Sequence, residues 1–440
     1  MTVSPYQHVG DKGGLSVLLS RMASIGSARV AGAGLGFLGQ ILLARWLGPE
    51  ALGLYFQALS IAAILAIVIC FGLPSVAIRF ISSYRKSNSF DQLSAFVKGA
   101  RMCVAVGLGI GVVVSGLAIF LLADRALATA LFLGVATAIP LAMMRLNGAF
   151  ANAFRQFHTA YLPDLLGRPV TIVAIALIVP LVGLQGSPEL LLGLHLLAAV
   201  VLAGLQLRRT DKAIQDVVAC RASSSPEVRD GWKTWISAGL PMIPVALFTA
   251  AFADVVIFAT APLLESRELA IFAVCLKIAL LAGFGIQLVH QLILPDAADA
   301  YNDGRFDDLQ ARIKQANLLC LVLCLAMTCI FALGGNYLLA LFGQEFVAGH
   351  VILVVLSLSL VARSVLGPGS QILVLAGQQN AAVKASLIGA GTLLVTAVFA
   401  VPAFGMFGAS FAVVITTVLW SGVLAWQSAK LTGVSTFGFR

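Results

Sequence analysis

Long apolar stretches separated by short polar breaks dominate the chain. The apolar stretches are 25–46, 51–78, 100–122, 127–149, 161–182, 188–207, 236–262, 268–294, 316–342, 350–375, 381–401 and 405–427. Each is close to the ~20 residues that an α-helix needs to cross a bilayer. Because lipid offers no hydrogen-bond partners, each stretch must satisfy its own backbone groups as a helix. The pattern therefore predicts an all-α, polytopic membrane protein with about twelve transmembrane helices.

The longest polar break lies near the middle of the chain and divides the helices into two sets of six. It covers 208–235 and contains a Ser-Ser-Ser-Pro segment with mixed charges around it. We expect two six-helix bundles, 25–207 and 236–428, joined by a cytosolic linker and flanked by cytosolic tails at 1–24 and 429–440. Since six is even, both bundles would run in the same direction across the membrane, with a central cavity between them.

Composition and charge support this interpretation. The 440 residues are 60% hydrophobic and only 11% charged, whereas soluble domains have about 25% charged residues. If the N-terminus is cytosolic, 21 of the 28 lysines and arginines fall in inner segments, 3 in outer turns and 4 within spans. Positive residues accumulate on the cytosolic side of membrane proteins, so the split predicts both termini in the cytosol. It also explains the net charge of +9 without nucleic acid as a partner.

The seven cysteines do not indicate a metal or a disulfide framework. No two of them form a C-x-x-C motif, and six lie in apolar runs, where cysteine behaves as a small hydrophobic residue. Cys320 and Cys324 share a helix face but have no histidine nearby to complete a zinc site. We therefore expect neither a metal nor a cofactor.

The first predicted helix carries an arginine near its start. At 100° per residue, Arg29, Gly32, Gly36 and Gln40 share one face, which is small or polar. An arginine within a span costs about 2.5–3.5 kcal/mol on insertion scales, so it should face protein or water. Arg29 would then line a cavity with Gln40. Alternatively, Arg29 lies close enough to the inner surface to reach lipid phosphates.

Cations outnumber acidic groups among the ionisable residues within the spans. The cations are Arg29, Arg168, Lys277 and Arg363, and the acids are Asp164 and Asp254. This excess favours an anionic lipid head group as the ligand. Asp164 and Arg168 are four residues apart and can pair with each other. Arg168 is therefore not counted among the predicted substrate-binding residues. The predicted substrate-binding residues are Arg29, Gln40, Lys277 and Arg363.

Asp254 is the predicted coupling or gating residue. Asp254 lies 11 residues before Glu265, and Lys277 lies 11 residues after Ser266, so both should be at the same depth below the tip of one helical hairpin. An opposite charge on the neighbouring helix relieves the cost of each. Two interpretations stay open. The pair is either static and fixes the register of the two helices, or it is a switch that protonation or substrate breaks.

Several short motifs, in order along most of the chain, carry a family resemblance. They are Leu43–Glu50 (LARWLGPE) with Gly53-Leu54-Tyr55, Phe71-Gly72-Leu73-Pro74 with Arg79-Phe80, Leu294-Pro295, Leu341–Phe346 (LFGQEF), Gly367-Pro368 and Ala376-Gly377-Gln378. In this respect the chain resembles the polysaccharide flippases, the O-antigen and exopolysaccharide branch of the multidrug/oligosaccharidyl-lipid/polysaccharide exporter superfamily.

The resemblance implies two six-helix bundles around a central cavity, and no enzymatic activity. The implied substrate is a polyprenyl-pyrophosphate-linked oligosaccharide moved from the inner to the outer leaflet of the bacterial inner membrane. Membrane lipids, a polysaccharide polymerase and chain-length proteins are the implied partners. Arg29 falls on a first-helix arginine of related flippases. Asp254 matches an aspartate of the family, but Val255 stands where a basic residue often follows it.

Two other functions are weighed against the flippase. A multidrug exporter of the same superfamily would carry cations in an acidic cavity, whereas the intramembrane charges here are mainly positive. A membrane-embedded polymerase or transferase would need a sizeable loop with paired carboxylates or similar groups. The predicted outer turns are only 47–50, 123–126, 183–187, 263–267, 343–349 and 402–404. A transporter is therefore favoured over an enzyme.

Overall fold

The computed structural model describes residues 13–121, 125–184, 186–219 and 231–437. In these ranges the chain is helical apart from turns and short connections, and it has no strand. The predicted all-α membrane fold is confirmed.

The described residues of the first bundle form seven helices and one π-helical turn. They are α1 (Gly13–Val68), α2 (Leu73–Lys86), α3 (Phe90–Leu121), α4 (Arg125–Ala153), α5 (Phe157–Leu162), the π turn Pro163–Gly167, α6 (Arg168–Leu181) and α7 (Pro188–Ala219). In α1 the backbone leaves helical geometry at Gly48, whose φ of 73° lies in the left-handed region, and Pro49 follows at once. Glycine tolerates this φ and proline starts a new helix, so α1 is two helices joined at the predicted turn.

The second bundle consists of nine helices and three 3₁₀ turns. They are α8 (Trp232–Gly239), the 3₁₀ turn Leu240–Met242, α9 (Ile243–Ala250), α10 (Phe252–Thr260), the 3₁₀ turn Ala261–Leu263, α11 (Ser266–Ala282), α12 (Phe284–Asn302), α13 (Phe306–Ala340), the 3₁₀ turn Gln344–Gly349, α14 (His350–Leu366), α15 (Gly369–Leu375) and α16 (Gln379–Thr432). Like α1, α16 breaks at a glycine with positive φ, here Gly405.

The number of membrane crossings agrees with the sequence pattern. In the described ranges, eight helical segments are long and apolar enough to cross a membrane, or nine if the bent segment α8–α10 is one span. Two of these segments contain the breaks at Gly48 and Gly405, so each of them provides two crossings. With the 32-residue helix α3, twelve crossings result.

The two bundles approach each other closely at both ends of the space between them. At the predicted outer end, a Cβ atom at Gly53 would overlap the backbone carbonyl of Ser266. The Arg45 Nε–H also donates to the carbonyl of Leu341 across the bundles at 2.6 Å. At the other end, a Cβ at Gly72 would overlap the carbonyl of Gly239. Opening the space to either side of the membrane therefore requires one of these contacts to separate.

The seventh crossing is broken at its middle. The segment up to Ala250 and the segment from Phe252 meet at 88°, and Ala251 between them has non-helical backbone angles. A break inside the membrane is tolerated where it lines a cavity, because the freed backbone groups then need no lipid-facing partner. Asp254 lies on the first turn after this break.

Candidate functional site: a chain of cavities with basic walls

A cavity of about 310 Å³ lies inside the first bundle, and we call it the N-bundle cavity. Its wall includes three arginines, Arg29, Arg145 and Arg168, together with Asp164 and Gln206. The arginines come from α1, α4 and α6, so residues far apart in sequence converge on one space.

Close packing of α1 brings this wall together. A Cβ at Gly32 would overlap the carbonyl of Leu165 in the π turn, and a Cβ at Gly39 would crowd the side chain of Ile172 in α6. Small residues allow such an approach between membrane helices. Gly36 has open space beside it instead, because it faces the groove described below. The predicted small face of α1 therefore serves two purposes, packing at Gly32 and cavity lining at Gly36.

Arg145 links the N-bundle cavity to a second one. An inter-bundle cavity of about 450 Å³ is lined by Arg145 and by residues of both bundles, among them Pro74, Val245 and Gln379. It adjoins a C-bundle cavity of about 190 Å³, and Thr249 and Ala250 line both. The C-bundle cavity contains Arg363.

A fourth space, the central groove, completes the set of cavities. It measures about 430 Å³ and is lined by Gly36 and Gln40 of α1 and by Asp254 and Lys277 of the second bundle. Asp254 also lines the C-bundle cavity. All five residues predicted from the sequence, Arg29, Gln40, Asp254, Lys277 and Arg363, thus line this linked set of cavities.

Two arginines of the N-bundle cavity differ in how they are paired. An Arg168 Nη donates to the carboxylate of Asp164 at 2.9 Å, in the i,i+4 arrangement expected from the sequence. The half-buried Arg145 makes no ion pair or hydrogen bond with any residue in the described ranges. Its guanidinium is therefore in a position to contact a ligand in the same cavity as Arg168.

Sequence reasoning missed Arg145 because the count of charges assigned it to an inner segment, although it stands within an apolar run. It lies well inside α4, which runs on to Ala153. An arginine within the apolar run 127–149 was the available signal, and Pro140 in the same helix was a second one. Arg168, which was set aside as a partner of Asp164, also lines the cavity.

Asp254 and Lys277 share the central groove but have separate immediate partners. Asp254 accepts a hydrogen bond from the Ser60 hydroxyl at 3.3 Å. The Lys277 ammonium lies over the ring of Phe56, 3.6 Å from its centroid. Asp254 and Lys277 are close enough to interact electrostatically, yet no ion pair within 4 Å joins them, although both lie in described segments.

Arg363 stands against an aromatic side chain in the C-bundle cavity. Its guanidinium lies 5.8 Å from the ring centroid of Trp420. Such a cation–π contact leaves the five N–H donors of an arginine free for other partners. No carboxylate in the described ranges lies within salt-bridge distance of it.

The walls of the four cavities have an excess of positive charge. Five cations line them, Arg29, Arg145, Arg168, Lys277 and Arg363, against two carboxylates, Asp164 and Asp254. Arginines present two parallel N–H groups that match phosphate and carboxylate oxygens. The described residues contain no cluster of three His, Cys, Asp or Glu that could hold a metal ion. The arrangement can thus bind a multiply charged anion within these cavities.

Comparison with known families gives one match, to the first bundle. Residues 18–205 match the family model described as polysaccharide biosynthesis protein. No curated protein matches the sequence.

Comparison with solved structures extends over nearly the whole chain. The structure of lipid II flippase MurJ in an inward closed conformation matches with a TM-score of 0.72 and 13% identity, over 92% of this chain and 87% of that one. An inward-facing multidrug resistance MATE family transporter of the MOP superfamily matches with a TM-score of 0.68 and 16% identity, over 91% and 95%. A variant of the Vibrio cholerae MATE transporter VcmN matches with a TM-score of 0.61 and 14% identity, over 95% and 98%.

At these identities the likeness establishes the fold, which this chain shares with the three solved structures. All three proteins are flippases or transporters rather than enzymes. The resemblance predicted from the sequence motifs is confirmed by the fold and by the family match.

Proposed function

We propose that this chain, whose first bundle matches the polysaccharide biosynthesis family and whose fold is that of the MOP superfamily, is a flippase for surface polysaccharide precursors. Its substrate is a polyprenyl-pyrophosphate-linked oligosaccharide, which it moves from the inner to the outer leaflet of the bacterial inner membrane. Transport occurs by alternating access, in which the cavities open first to one side and then to the other.

The observation that carries this proposal is the excess of cations on the cavity walls, and above all the unpaired Arg145. A pyrophosphate brings at least two negative charges, and an intramembrane arginine that makes no direct ion pair can donate its N–H groups to such a ligand. A cavity built for cationic drugs would need the opposite balance of charge.

We assign the pyrophosphate to the N-bundle cavity, where Arg29, Arg145 and Arg168 come from three different helices. Gln40 and Lys277 in the central groove would contact the sugars or the second phosphate, and Arg363 would hold a further anionic group of the cargo. Asp254 couples binding to gating, because it lies after the break in the seventh crossing and within electrostatic reach of Lys277. A polymerase and chain-length proteins would receive the product.

Complementation of a strain that lacks the gene tests the proposal. Arg145→Gln should lower surface polysaccharide on a gel, while the amount of protein in the membrane stays normal. A hydrogen bond to a charged group contributes about 1.5–3 kcal/mol, which corresponds to roughly a 10–100-fold loss of transport. The control Arg267→Gln removes the same charge from an exposed ion pair with Glu345 outside the cavities and should export normally.

The same strains also test the rival function, that of a multidrug exporter. A multidrug exporter of this fold would leave surface polysaccharide unchanged in the deletion strain and make it sensitive to cationic drugs. Normal polysaccharide together with drug sensitivity would refute the flippase proposal.

A further inference from the structure

A fifth concavity lies apart from these four cavities, on the side of the first bundle. This flank pocket measures about 530 Å³ and lies between the turn that joins α4 to α5 and the last turns of α7. Three exposed cations line it, Arg155, Arg209 and Lys212, together with His158. None of the three cations makes an ion pair or side-chain hydrogen bond within the described ranges.

One of the two acidic residues near the pocket is paired elsewhere. Asp211 precedes Lys212 in α7, but its carboxylate pairs with Arg101 of α3 at 2.7 Å. Arg101 also donates to the Asn147 Oδ1 at 3.0 Å, which fixes this pair on another side of α7. Asp216 is the single carboxylate among the residues that line the pocket, so the pocket remains positive.

Arg155 occupies a backbone position that favours glycine. Its φ is 59°, and the Arg155 and Gln156 N–H groups donate to the carbonyls of Asn152 and Ala151, as at the end of a helix capped by a left-handed residue. Glycine adopts this φ without strain, whereas an arginine does not. The chain therefore carries a strained arginine at the point where its side chain enters the pocket.

Hydrogen bonds hold the turn between α4 and α5 against α7. The Gln206 side-chain amide donates to the carbonyl of Thr159 at 2.9 Å, and Asn152 donates to the Tyr161 hydroxyl at 3.0 Å. Gln206 and Tyr161 belong to the wall of the N-bundle cavity. The flank pocket and the N-bundle cavity have no lining residue in common, so they are separate spaces on the two sides of this turn.

One face of α7 changes from apolar to basic at this pocket. Leu197, Val201 and Leu205 are about half exposed and follow one another at four-residue spacing. The next position in this row is Arg209, and Lys212 follows on nearly the same face. This is the change in polarity that occurs where a lipid-facing helix passes from acyl chains to the head-group region.

We infer that the flank pocket binds the phosphate head group of an anionic phospholipid of the surrounding bilayer. The phosphate lies between Arg155, Arg209 and Lys212, and an acyl chain lies along Leu197, Val201 and Leu205. Basic pockets at the ends of transmembrane helices recognise anionic lipids through this combination of charge and apolar surface. The inference does not depend on the proposed substrate, because the pocket is separate from the cavities.

Native mass spectrometry of the purified full-length protein in a neutral detergent tests the inference. Dioleoyl phosphatidylglycerol should bind in preference to dioleoyl phosphatidylcholine, which has the same acyl chains but no net charge. Arg155→Gln, Arg209→Gln and Lys212→Gln should each weaken the binding of the anionic lipid about fivefold, and together on the order of a hundredfold. Equal binding of both lipids, or an unchanged preference in the triple variant, would overturn the inference.

A matched control and two further probes separate the alternatives. The triple variant Arg208→Gln, Lys233→Gln, Lys314→Gln loses the same charge from exposed positions outside the pocket and should keep the preference. Inorganic phosphate at millimolar concentration should not displace the lipid, because it lacks the acyl contacts; displacement would refute a lipid site. If a polyprenyl diphosphate displaces phosphatidylglycerol at a lower concentration than phosphatidylglycerol itself requires, the pocket serves the cargo and the inference is wrong.

Arg155→Gly distinguishes a binding role from a structural one. Glycine removes the strain at this position, so the variant should melt at the same temperature as the wild type or higher in lipid-free detergent. Its affinity for phosphatidylglycerol should nevertheless fall about fivefold. A lower melting temperature with unchanged lipid affinity would mean that Arg155 only supports the turn, and would contradict the inference.

Discussion

The ammonium group of Lys277 lies over the ring of Phe56 and makes no ion pair with Asp254, although both charged residues line the central groove. Phe56 belongs to the first bundle and Lys277 to the second, so this cation–π contact joins the two bundles at the transport path. A cation over an aromatic ring inside a protein contributes up to about 2 kcal/mol. Lys277 is thereby held in the groove in a position from which it can turn to a carboxylate or a phosphate.

Substitutions at Asp254 and Lys277 separate a static pair from a switch. Asp254→Asn and Lys277→Met should each impair export, because each leaves one intramembrane charge without its counter-charge. If the residues only compensate each other, the double variant should recover export. If they form a switch, the double variant should be stable and inactive, which is the outcome that we expect from the separate partners Ser60 and Phe56.

A crosslinking experiment checks the premise of this prediction. Cysteines at positions 254 and 277 should be joined by short bifunctional reagents in membranes, since both positions line one groove of about 430 Å³. Failure of every short reagent would show that the two positions are not neighbours, and both interpretations would then be wrong.

Gly53 should control closure at the predicted outer end. Because a Cβ there would overlap the carbonyl of Ser266 in the other bundle, Gly53→Ala should separate the bundles at that end and favour an outward-open state. We expect lower export, with greater labelling of a cysteine at position 40 by a membrane-impermeant reagent added from outside. Gly34→Ala is the matched control, since no atom lies within 4 Å of its added Cβ. Equal labelling in both variants would refute a role of Gly53 in closing the outer end.

Arg29 and Arg363 should each be needed for export but not for folding. Replacing either with alanine should lower surface polysaccharide about 10–100-fold at an unchanged amount of protein. Lysine should restore export only in part, because its ammonium group lacks the two parallel N–H donors of a guanidinium. Export at the wild-type level from the Arg29→Ala, Arg363→Ala double variant would show that neither residue binds the substrate. Loss of the protein itself would identify them as packing residues.

The predicted orientation has its own test. A reporter that is active only outside the cytosol, fused after Ser223, should give no signal, because 21 lysines and arginines fall in predicted inner segments against 3 in outer turns. Ser223 lies outside the residues that the structure describes. A strong signal at this position would reverse the topology and, with it, the proposed direction of transport.

Much of the fold could be predicted because membrane helices are encoded locally. The turn at Gly48-Pro49 follows from the conformational freedom of one residue and the missing N–H of the next, and the structure has a break there. Helix ends were less predictable, since α7 continues to Ala219 and α12 to Asn302, beyond the apolar runs. Polar residues extend these helices outside the membrane, where hydropathy no longer reports on structure.

The candidate site could be predicted only in part. Charges within apolar runs identified Arg29, Lys277 and Arg363, since burying a charge in lipid is unfavourable wherever it occurs. Which cation lacks a partner depends on residues far apart in sequence, and so Arg145 was missed. The contact of Lys277 with Phe56 and that of Asp254 with Ser60 are likewise long-range, and nothing in the local pattern indicates them.

Transport in a purified system tests the central claim most directly. The protein would be reconstituted in liposomes that carry a polyprenyl-pyrophosphate-linked oligosaccharide, and the fraction of oligosaccharide reaching the opposite leaflet would be followed with a membrane-impermeant glycosidase or lectin. We predict protein-dependent transport that falls at least about tenfold in Arg145→Gln and stays at the wild-type level in Arg267→Gln. Equal transport by Arg145→Gln and the wild type, or no transport above protein-free liposomes, would contradict the claim that the basic cavities carry this lipid.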